Sequence, residues 1–236
     1  RFRSLLTIVT QGGQISRELI ETRCQRGAEI VRQMRFPEEV ARGILDLDEH
    51  WDGSGKPVGL AGEAISPFSR IALIAQVVDV FHTGAGKEAA MKEVRDRSGT
   101  WFEPFLAQAF ERAAANSAFW RVLASRGLQQ TIIELAPEQG GEQVDEDYLD
   151  EVAAAFAQVV DSKSPYTAGH SDRVALFADM IAEELCLSTE KRRFLKRAAL
   201  LHDLGKLGVS NQILDKNGKL TDEEWQSVRR HPAQSQ

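Results

Sequence analysis

The chain has 236 residues and a formal net charge of −6, so it is large enough for one large domain or two small ones. An acidic balance argues against a broad nucleic-acid footprint, although it leaves room for a small phosphorylated ligand. No apolar run approaches the roughly 18 residues of a membrane span, and no signal peptide is visible. Two widely separated cysteines, Cys24 and Cys186, match no metal-binding spacing. We therefore expect a cytoplasmic protein without a membrane partner.

Helical periodicity dominates the first part of the chain, and strand-like alternation is scarce. Helices are predicted over residues 17–34, 67–81, 85–99 and 101–125. A loop dense in glycine and proline is predicted over residues 52–62. The last of these helices is rich in aromatic residues, which we expect in a core.

Residues 137–141 and the acids after them are the best candidate for a linker. A second group of helices follows. In the helix predicted over residues 171–185, the spacing of five apolar residues predicts an inward face. These are Val174, Phe177, Ala178, Ile181 and Leu185. Ser188 is predicted to cap the next helix.

That next helix contains the segment 198–206, Ala-Ala-Leu-Leu-His-Asp-Leu-Gly-Lys, which changes from apolar to polar within a few residues. Lys206 lies four positions after His202 and three after Asp203. On a helix those spacings bring the side chains onto neighbouring faces. A buried charge cluster is costly unless it is paired or binds metal. A His-Asp pair alone is equally typical of a helix cap beside a solvated lysine.

Two further histidines, His170 and His231, also lie at predicted helix edges. With His202 and Asp203 they make a set of three imidazoles and one carboxylate. Such a set suits iron, manganese, zinc or nickel. No serine lies in the context of a nucleophile elbow, which disfavours a Ser-His-Asp mechanism.

Several motifs in this region resemble, in order, the first half of an HD-GYP domain, a branch of the HD superfamily of metal-dependent phosphohydrolases. They are Gly169-His170-Ser171-Asp172-Arg173-Val174, Leu201-His202-Asp203-Leu204-Gly205-Lys206 and His231-Pro232. The similarity extends over about residues 165–232.

The resemblance implies metal ligands at four positions, namely His170, His202, Asp203 and His231. Asp203 would bridge two divalent ions, of iron, manganese or another transition metal, and Lys206 would contact a substrate phosphate. Some members carry a glutamate four residues before the first histidine, for a third metal. Tyr166 stands there, so the resemblance favours two metals.

Residues 47–60 resemble the second half of the same domain, its His-His-Glu run and Gly-Tyr-Pro loop. The family's functional positions are changed in this earlier copy. Leu47 and Asp48 replace the two histidines, Lys56 replaces the tyrosine, Gln76 replaces the final aspartate, and Arg23 stands where the second copy has His231.

Two arrangements fit these motifs. In the first, the chain is an all-α tandem HD protein, with a degenerate structural domain at residues 1–135, a linker at 136–145 and the N-terminal half of an active-type domain at 146–236. In the second, a single permuted domain is formed when residues 20–85 complete residues 145–236. The lost ligands disfavour the second arrangement.

Two functions follow from the resemblance. The first is a metal-dependent phosphodiesterase with Asp203 and Lys206 as catalytic residues, hydrolysing cyclic di-GMP or a related cyclic dinucleotide in bacterial signalling. A homodimer is compatible with this function, and no nucleic-acid polymer is expected as a partner. Part of that active site is expected to lie outside the 236 residues. The second is a non-catalytic module for nucleotide sensing or dimerisation.

Overall fold

A computed structural model of the chain describes residues 2–125, 127–135, 144–163 and 168–235. Within these ranges the secondary structure is helical apart from one isolated bridge between Ser98 and Phe102. The predicted all-α class is confirmed. The chain divides into two compact units. Unit 1 comprises Arg1–Arg32 and Phe36–Gly141, and unit 2 comprises Gln33–Arg35 and Glu142–Gln236.

Unit 1 is built from seven α-helices within the described residues. They are α1 (Phe2–Gln33), α2 (Glu38–Leu45), α3 (Pro67–Ala85), α4 (Lys87–Asp96), α5 (Pro104–Ala114), α6 (Ser117–Leu123) and α7 (Leu128–Glu134). The single helix predicted over residues 101–125 is wrong. Pro104 lies at the start of α5, and the Asn116 side chain accepts a hydrogen bond from the backbone of Ala118 and starts α6.

The core of unit 1 lies where α3 packs against α4. Leu73, Ile74 and Val78 of α3 contact Ala90 and Val94 of α4 in one buried cluster. The aromatic residues predicted for the core divide between two environments. Phe102 is fully buried in this cluster, whereas Phe105 is exposed.

Unit 2 begins with three longer helices and ends with shorter ones. They are α8 (Glu146–Asp161), α9 (His170–Glu184), α10 (Thr189–Leu201), a 3₁₀ helix (Leu204–Gly208), α11 (Asn211–Leu214), α12 (Asp222–Arg229) and α13 (His231–Gln234). Ser188 caps α10 as predicted, because its Oγ accepts a hydrogen bond from Lys191 N. The prediction that this helix continues through Lys206 is wrong, since α10 ends at Leu201.

Small residues hold the three longer helices of unit 2 together. Ala153 and Ala157 of α8, Ala175 of α9, and Ala199 and Leu200 of α10 form the buried cluster. Helices that meet through alanine can approach closely, which turns their larger side chains outward. The predicted inward face of α9 is confirmed for Val174 and Ala178, which pack against this cluster. The prediction is wrong for three larger side chains, each of which is more than half exposed. They are Phe177, Ile181 and Leu185.

Two predictions fall on residues that the structure does not describe. Residues 136–143 of the predicted linker and Tyr166 lie outside the described ranges. Asp145, which was predicted as part of the linker, lies just before α8, and its side chain caps that helix by accepting a hydrogen bond from Tyr148 N. The domain boundaries at 135 and 146 remain a prediction. Of the helices described, none combines the length and apolarity required to cross a bilayer.

Candidate metal centre

The carboxylate of Asp203 lies at the centre of the candidate site and is only 3% exposed. Its Oδ2 atom lies 2.5 Å from Lys206 Nζ, 3.2 Å from His202 Nε2 and 3.8 Å from His170 Nε2. Its Oδ1 atom lies 3.3 Å from His231 Nε2. The structure thus brings all five predicted site residues around one buried carboxylate.

The local backbone explains how His202, Asp203 and Lys206 meet without a continuous α-helix. His202 is the C-cap of α10, and Asp203 lies in the turn between α10 and the 3₁₀ helix. In a 3₁₀ helix, residues three apart lie over one another. Lys206 N donates to Asp203 O, and the Lys206 side chain reaches the Asp203 carboxylate. The spacing of three residues therefore brings the Asp203 and Lys206 side chains together as predicted, but in a 3₁₀ helix and not in an α-helix.

Backbone carbonyls fix the tautomers of two imidazoles. His202 Nδ1 lies 2.7 Å from Ala199 O, and His231 Nδ1 lies 2.7 Å from Val228 O. A carbonyl oxygen only accepts, so each Nδ1 carries the hydrogen. In the neutral ring, Nε2 then keeps its lone pair, which is how metal-binding histidines are commonly oriented.

The same orientation makes the centre suitable for a cation. Nε2 of His202 and Nε2 of His231 each face an oxygen of Asp203 at 3.2–3.3 Å. Two acceptors at that distance repel each other unless a positive charge lies between or beside them. His170, His202 and Asp203 offer ligand atoms that all lie within 4.8 Å of one another. The donor set therefore fits a metal ion.

Gly205 allows the segment that carries His231 to approach the 3₁₀ helix. A Cβ atom on Gly205 would lie 1.9 Å from His231 O. Gly205 N donates to Ser235 Oγ at 2.8 Å, and that hydroxyl lies 3.0 Å from His231 O and 3.2 Å from His202 O. The sequence analysis used Gly205 only as part of a motif. Its signal was a glycine inside an otherwise apolar helical pattern.

Asp161 at the end of α8 holds the start of α9, a role that was not predicted from the sequence. Gly169, in the left-handed region at φ 65°, precedes α9 and has no side chain with which to cap it. Instead, Asp161 accepts hydrogen bonds from Ser171 N at 3.1 Å and Ser171 Oγ at 2.8 Å. Asp161 and Ser171 are both buried. This pair fixes the backbone next to His170, and nothing local in the sequence identifies it.

Unit 1 has its own charged centre at Asp48, which the sequence predicts to stand at a replaced ligand position. The Asp48 carboxylate forms an ion pair with the Arg23 guanidinium, and Cys24 Sγ lies 3.6 Å from Asp48 Oδ2. The hydrogen bond to Asp48 raises the pKa of Arg23, and burial raises the pKa of the Cys24 thiol. An arginine that is always charged occupies this centre.

The loop after Asp48 is organised by Glu49, which is 2% exposed. Its carboxylate accepts hydrogen bonds from the backbone N–H groups of Val58, Gly59 and Leu60 at 2.7–3.0 Å. Gly55 is required in this loop, because a Cβ there would lie 2.2 Å from His50 N. The Glu49 carboxylate and Gly55 together therefore determine the shape of this loop.

Comparisons with known proteins match both units. A family model described as "HD domain" matches residues 4–106 and 154–236. The chain is 49% identical over 233 residues to the 3'3'-cGAMP-specific phosphodiesterase 3 of Vibrio cholerae serotype O1. That alignment covers 99% of this chain and 51% of the relative. The chain thus spans about half the length of this relative.

A shorter similarity and a solved structure agree with that match. Over 82 residues, 35% of this chain and 22% of the relative, the chain is 35% identical to the cyclic di-GMP phosphodiesterase response regulator of Xanthomonas campestris pv. campestris. A crystal structure of a cyclic GMP-AMP specific phosphodiesterase of V. cholerae is similar with a TM-score of 0.76 and 49% identity. That similarity covers 98% of this chain and 56% of the other.

Proposed function

Since the chain belongs to the HD superfamily of metal-dependent phosphohydrolases, in its HD-GYP branch, we propose that unit 2 supplies the metal-binding half of a cyclic dinucleotide phosphodiesterase site. One observation carries the proposal. Three imidazoles and one ammonium converge on a single buried carboxylate, that of Asp203. Imidazole nitrogens and carboxylate oxygens together are ligands that divalent transition metals bind, and an ammonium beside them can bind a phosphate.

The two oxygens of Asp203 divide the proposed ligands into two sets. His170 and His202 face Oδ2, whereas His231 faces Oδ1. We assign each set to one divalent ion, of iron, manganese or another transition metal, with Asp203 shared between them. Bound metals of this kind supply a nucleophilic hydroxide at neutral pH and stabilise charge on phosphate oxygens.

The chain's own residues prepare the site for that chemistry. The carbonyls of Ala199 and Val228 hold two imidazoles so that Nε2 is available as a ligand atom. Lys206 binds Asp203 Oδ2 through an ammonium group, and its side chain is partly exposed. In the proposed complex this ammonium exchanges the carboxylate for a phosphate oxygen of the substrate and stabilises the negative charge there.

The substrate proposed for the first assay is 3'3'-cGAMP, and cyclic di-GMP is the comparison substrate. The first choice rests on the relative that is 49% identical over 99% of this chain and is named for 3'3'-cGAMP. The second rests on shorter similarities of 35–36% identity to proteins named cyclic di-GMP phosphodiesterases.

The test uses the full-length protein with added Mn²⁺ or Fe²⁺ and measures hydrolysis of both dinucleotides together with bound metal. Asp203→Ala is expected to lower turnover at least about 100-fold and to remove metal, because a shared ligand is lost. Asp48→Ala is the matched control in unit 1 and should leave both nearly unchanged. Lys206→Ala should lower turnover while the metal is retained.

Two outcomes would contradict the proposal. If folded Asp48→Ala lost as much turnover as Asp203→Ala, the permuted single-domain arrangement would be favoured. If the unaltered protein bound a cyclic dinucleotide without hydrolysing it under any metal condition, the non-catalytic sensing module would be favoured.

A further inference from the structure

Unit 1 contains a cavity of about 710 Å³ bounded by α3, α5, α6 and α7. This volume is within the range of about 300–1,000 Å³ that is typical of small-molecule sites. The lining does not include Asp48 or Arg23, so the cavity is separate from the charged centre of this unit. Nothing in the proposed phosphodiesterase site uses it.

The lining is apolar over most of its extent. Ile74 and Val78 of the buried core form part of the wall. Phe110 and Phe119 form another part, with their rings edge to face at 6.2 Å. Ile71 also lines the cavity and is half exposed. An exposed apolar surface beside a concave site is typical of ligand binding.

The polar groups of the lining are confined to one side. Asp79, His82 and Thr83 lie at i, i+3 and i+4 on α3, which places them on one face of that helix. The His82 ring lies 4.9 Å from the ring of Trp120. Among the lining residues that the structure describes, Asp79 is the one carboxylate, and none is a lysine or arginine.

This distribution of charge identifies the class of ligand. A carboxylate or phosphate in the cavity would face the exposed carboxylate of Asp79, and like charges repel each other. An ammonium group beside Asp79 would be matched in charge. We propose that this cavity binds a hydrophobic amine, with its apolar body against α5 and α6 and its amine beside Asp79.

The experiment measures binding to the 236-residue chain with N-phenyl-1-naphthylamine, a neutral fluorescent probe. Decylamine and decanoate then compete for it, since they have the same chain length and opposite charge. We expect saturable binding of one probe per chain and displacement by decylamine at lower concentration than by decanoate. Asp79→Asn should weaken the binding of decylamine by up to about fivefold, which is the range of a single exposed ion pair. It should leave the binding of the probe unaffected.

Filling the cavity is the second arm. Ala109→Trp of α5 adds an indole inside the lining, and we expect it to weaken the probe at least about tenfold by steric exclusion. Gln108→Trp, on the same helix but outside the lining, is the matched control. Ala113→Leu fills less volume and replaces Ala109→Trp if circular dichroism shows that the tryptophan variant does not fold.

Ile181→Glu removes one exposed apolar side chain from α9 in unit 2 and should leave probe binding unchanged. The proposal would be overturned by unchanged probe affinity in the folded cavity-filling variant, by equal displacement with decanoate and decylamine, or by loss of probe binding in Ile181→Glu.

Discussion

The charged centres of the two units balance a carboxylate in different ways. Asp203 is surrounded by three imidazoles and Lys206, and its side chain is almost wholly buried. The Asp48 side chain is 25% exposed and pairs with Arg23, which is 66% exposed. A guanidinium has no lone pair to give to a metal, whereas a neutral imidazole does. Both centres contain a cationic side chain, Arg23 or Lys206, but only the centre of unit 2 adds imidazole nitrogens that could bind a metal ion.

The backbone near each centre contains one glycine that a side chain would disrupt. Gly205 in unit 2 and Gly55 in unit 1 both lie so close to another backbone segment that a Cβ would overlap it. Such a close approach requires glycine whatever the chemistry of the neighbouring side chains.

The largest effect that separates the two centres is stabilisation by metal. A ligand at about 100 times its dissociation constant stabilises the folded state by about 2.7 kcal/mol. We expect Mn²⁺ to raise the unfolding temperature of the chain, EDTA to reverse the rise, and Asp203→Ala to abolish it. Asp48→Ala should keep the full shift. Equal shifts in the Asp203→Ala and unaltered chains, measured by calorimetry, would show that the metal binds elsewhere.

Glycine substitution tests the close backbone approach at Gly205. Gly205→Ala is expected to lower the free energy of unfolding by about 1–3 kcal/mol, as overpacking does. It should also weaken Mn²⁺ binding, because His231 must move away from Asp203. Gly84→Ala is the matched control in α3, where the added methyl meets open space and alanine favours the helix by up to about 1 kcal/mol. Urea denaturation should show a lower free energy of unfolding for Gly205→Ala and a higher one for Gly84→Ala. An unchanged free energy of unfolding in Gly205→Ala would contradict the steric argument.

The ion pair of unit 1 is expected to contribute less. A double-mutant cycle with Arg23→Met and Asp48→Asn should give a coupling free energy of at most about 1 kcal/mol, because the Arg23 side chain is largely exposed. The coupling should shrink in 0.5 M salt through screening. Coupling of several kcal/mol that is insensitive to salt would indicate that Asp48 and Arg23 form a buried centre comparable to that of unit 2.

The sequence predicts the centre of unit 2 better than the faces of its helices. His202, Asp203 and Lys206 lie within five positions, so any compact turn brings them together. The end of α10 at Leu201 and the outward orientation of Phe177 depend on how whole helices pack, which periodicity alone does not determine. The role of Asp161 is harder still to predict, since its partner Ser171 lies ten residues away across a break between helices.

The smallest expected effect concerns a histidine of unit 1 that belongs to no metal centre. The ring of His50 stacks on Trp101 at 4.1 Å, and its Nδ1 lies 3.0 Å from Ser54 Oγ. Burial lowers the pKa of His50, although the carboxylates of Asp52 and Glu49 act in the opposite direction. An NMR titration should therefore place its midpoint below the value of about 6.5 for an unperturbed histidine.

Because the unfolded chain binds this proton more readily, the stability that neutral His50 contributes is fully present above about pH 6.5 and is lost as the pH falls through the folded pKa. Trp101→Leu should move the midpoint back towards the unperturbed value, whereas the same change at Trp225 in unit 2 should leave it unaltered. A midpoint above 6.5 in the unaltered chain would mean that the carboxylates, and not burial, determine the charge of His50.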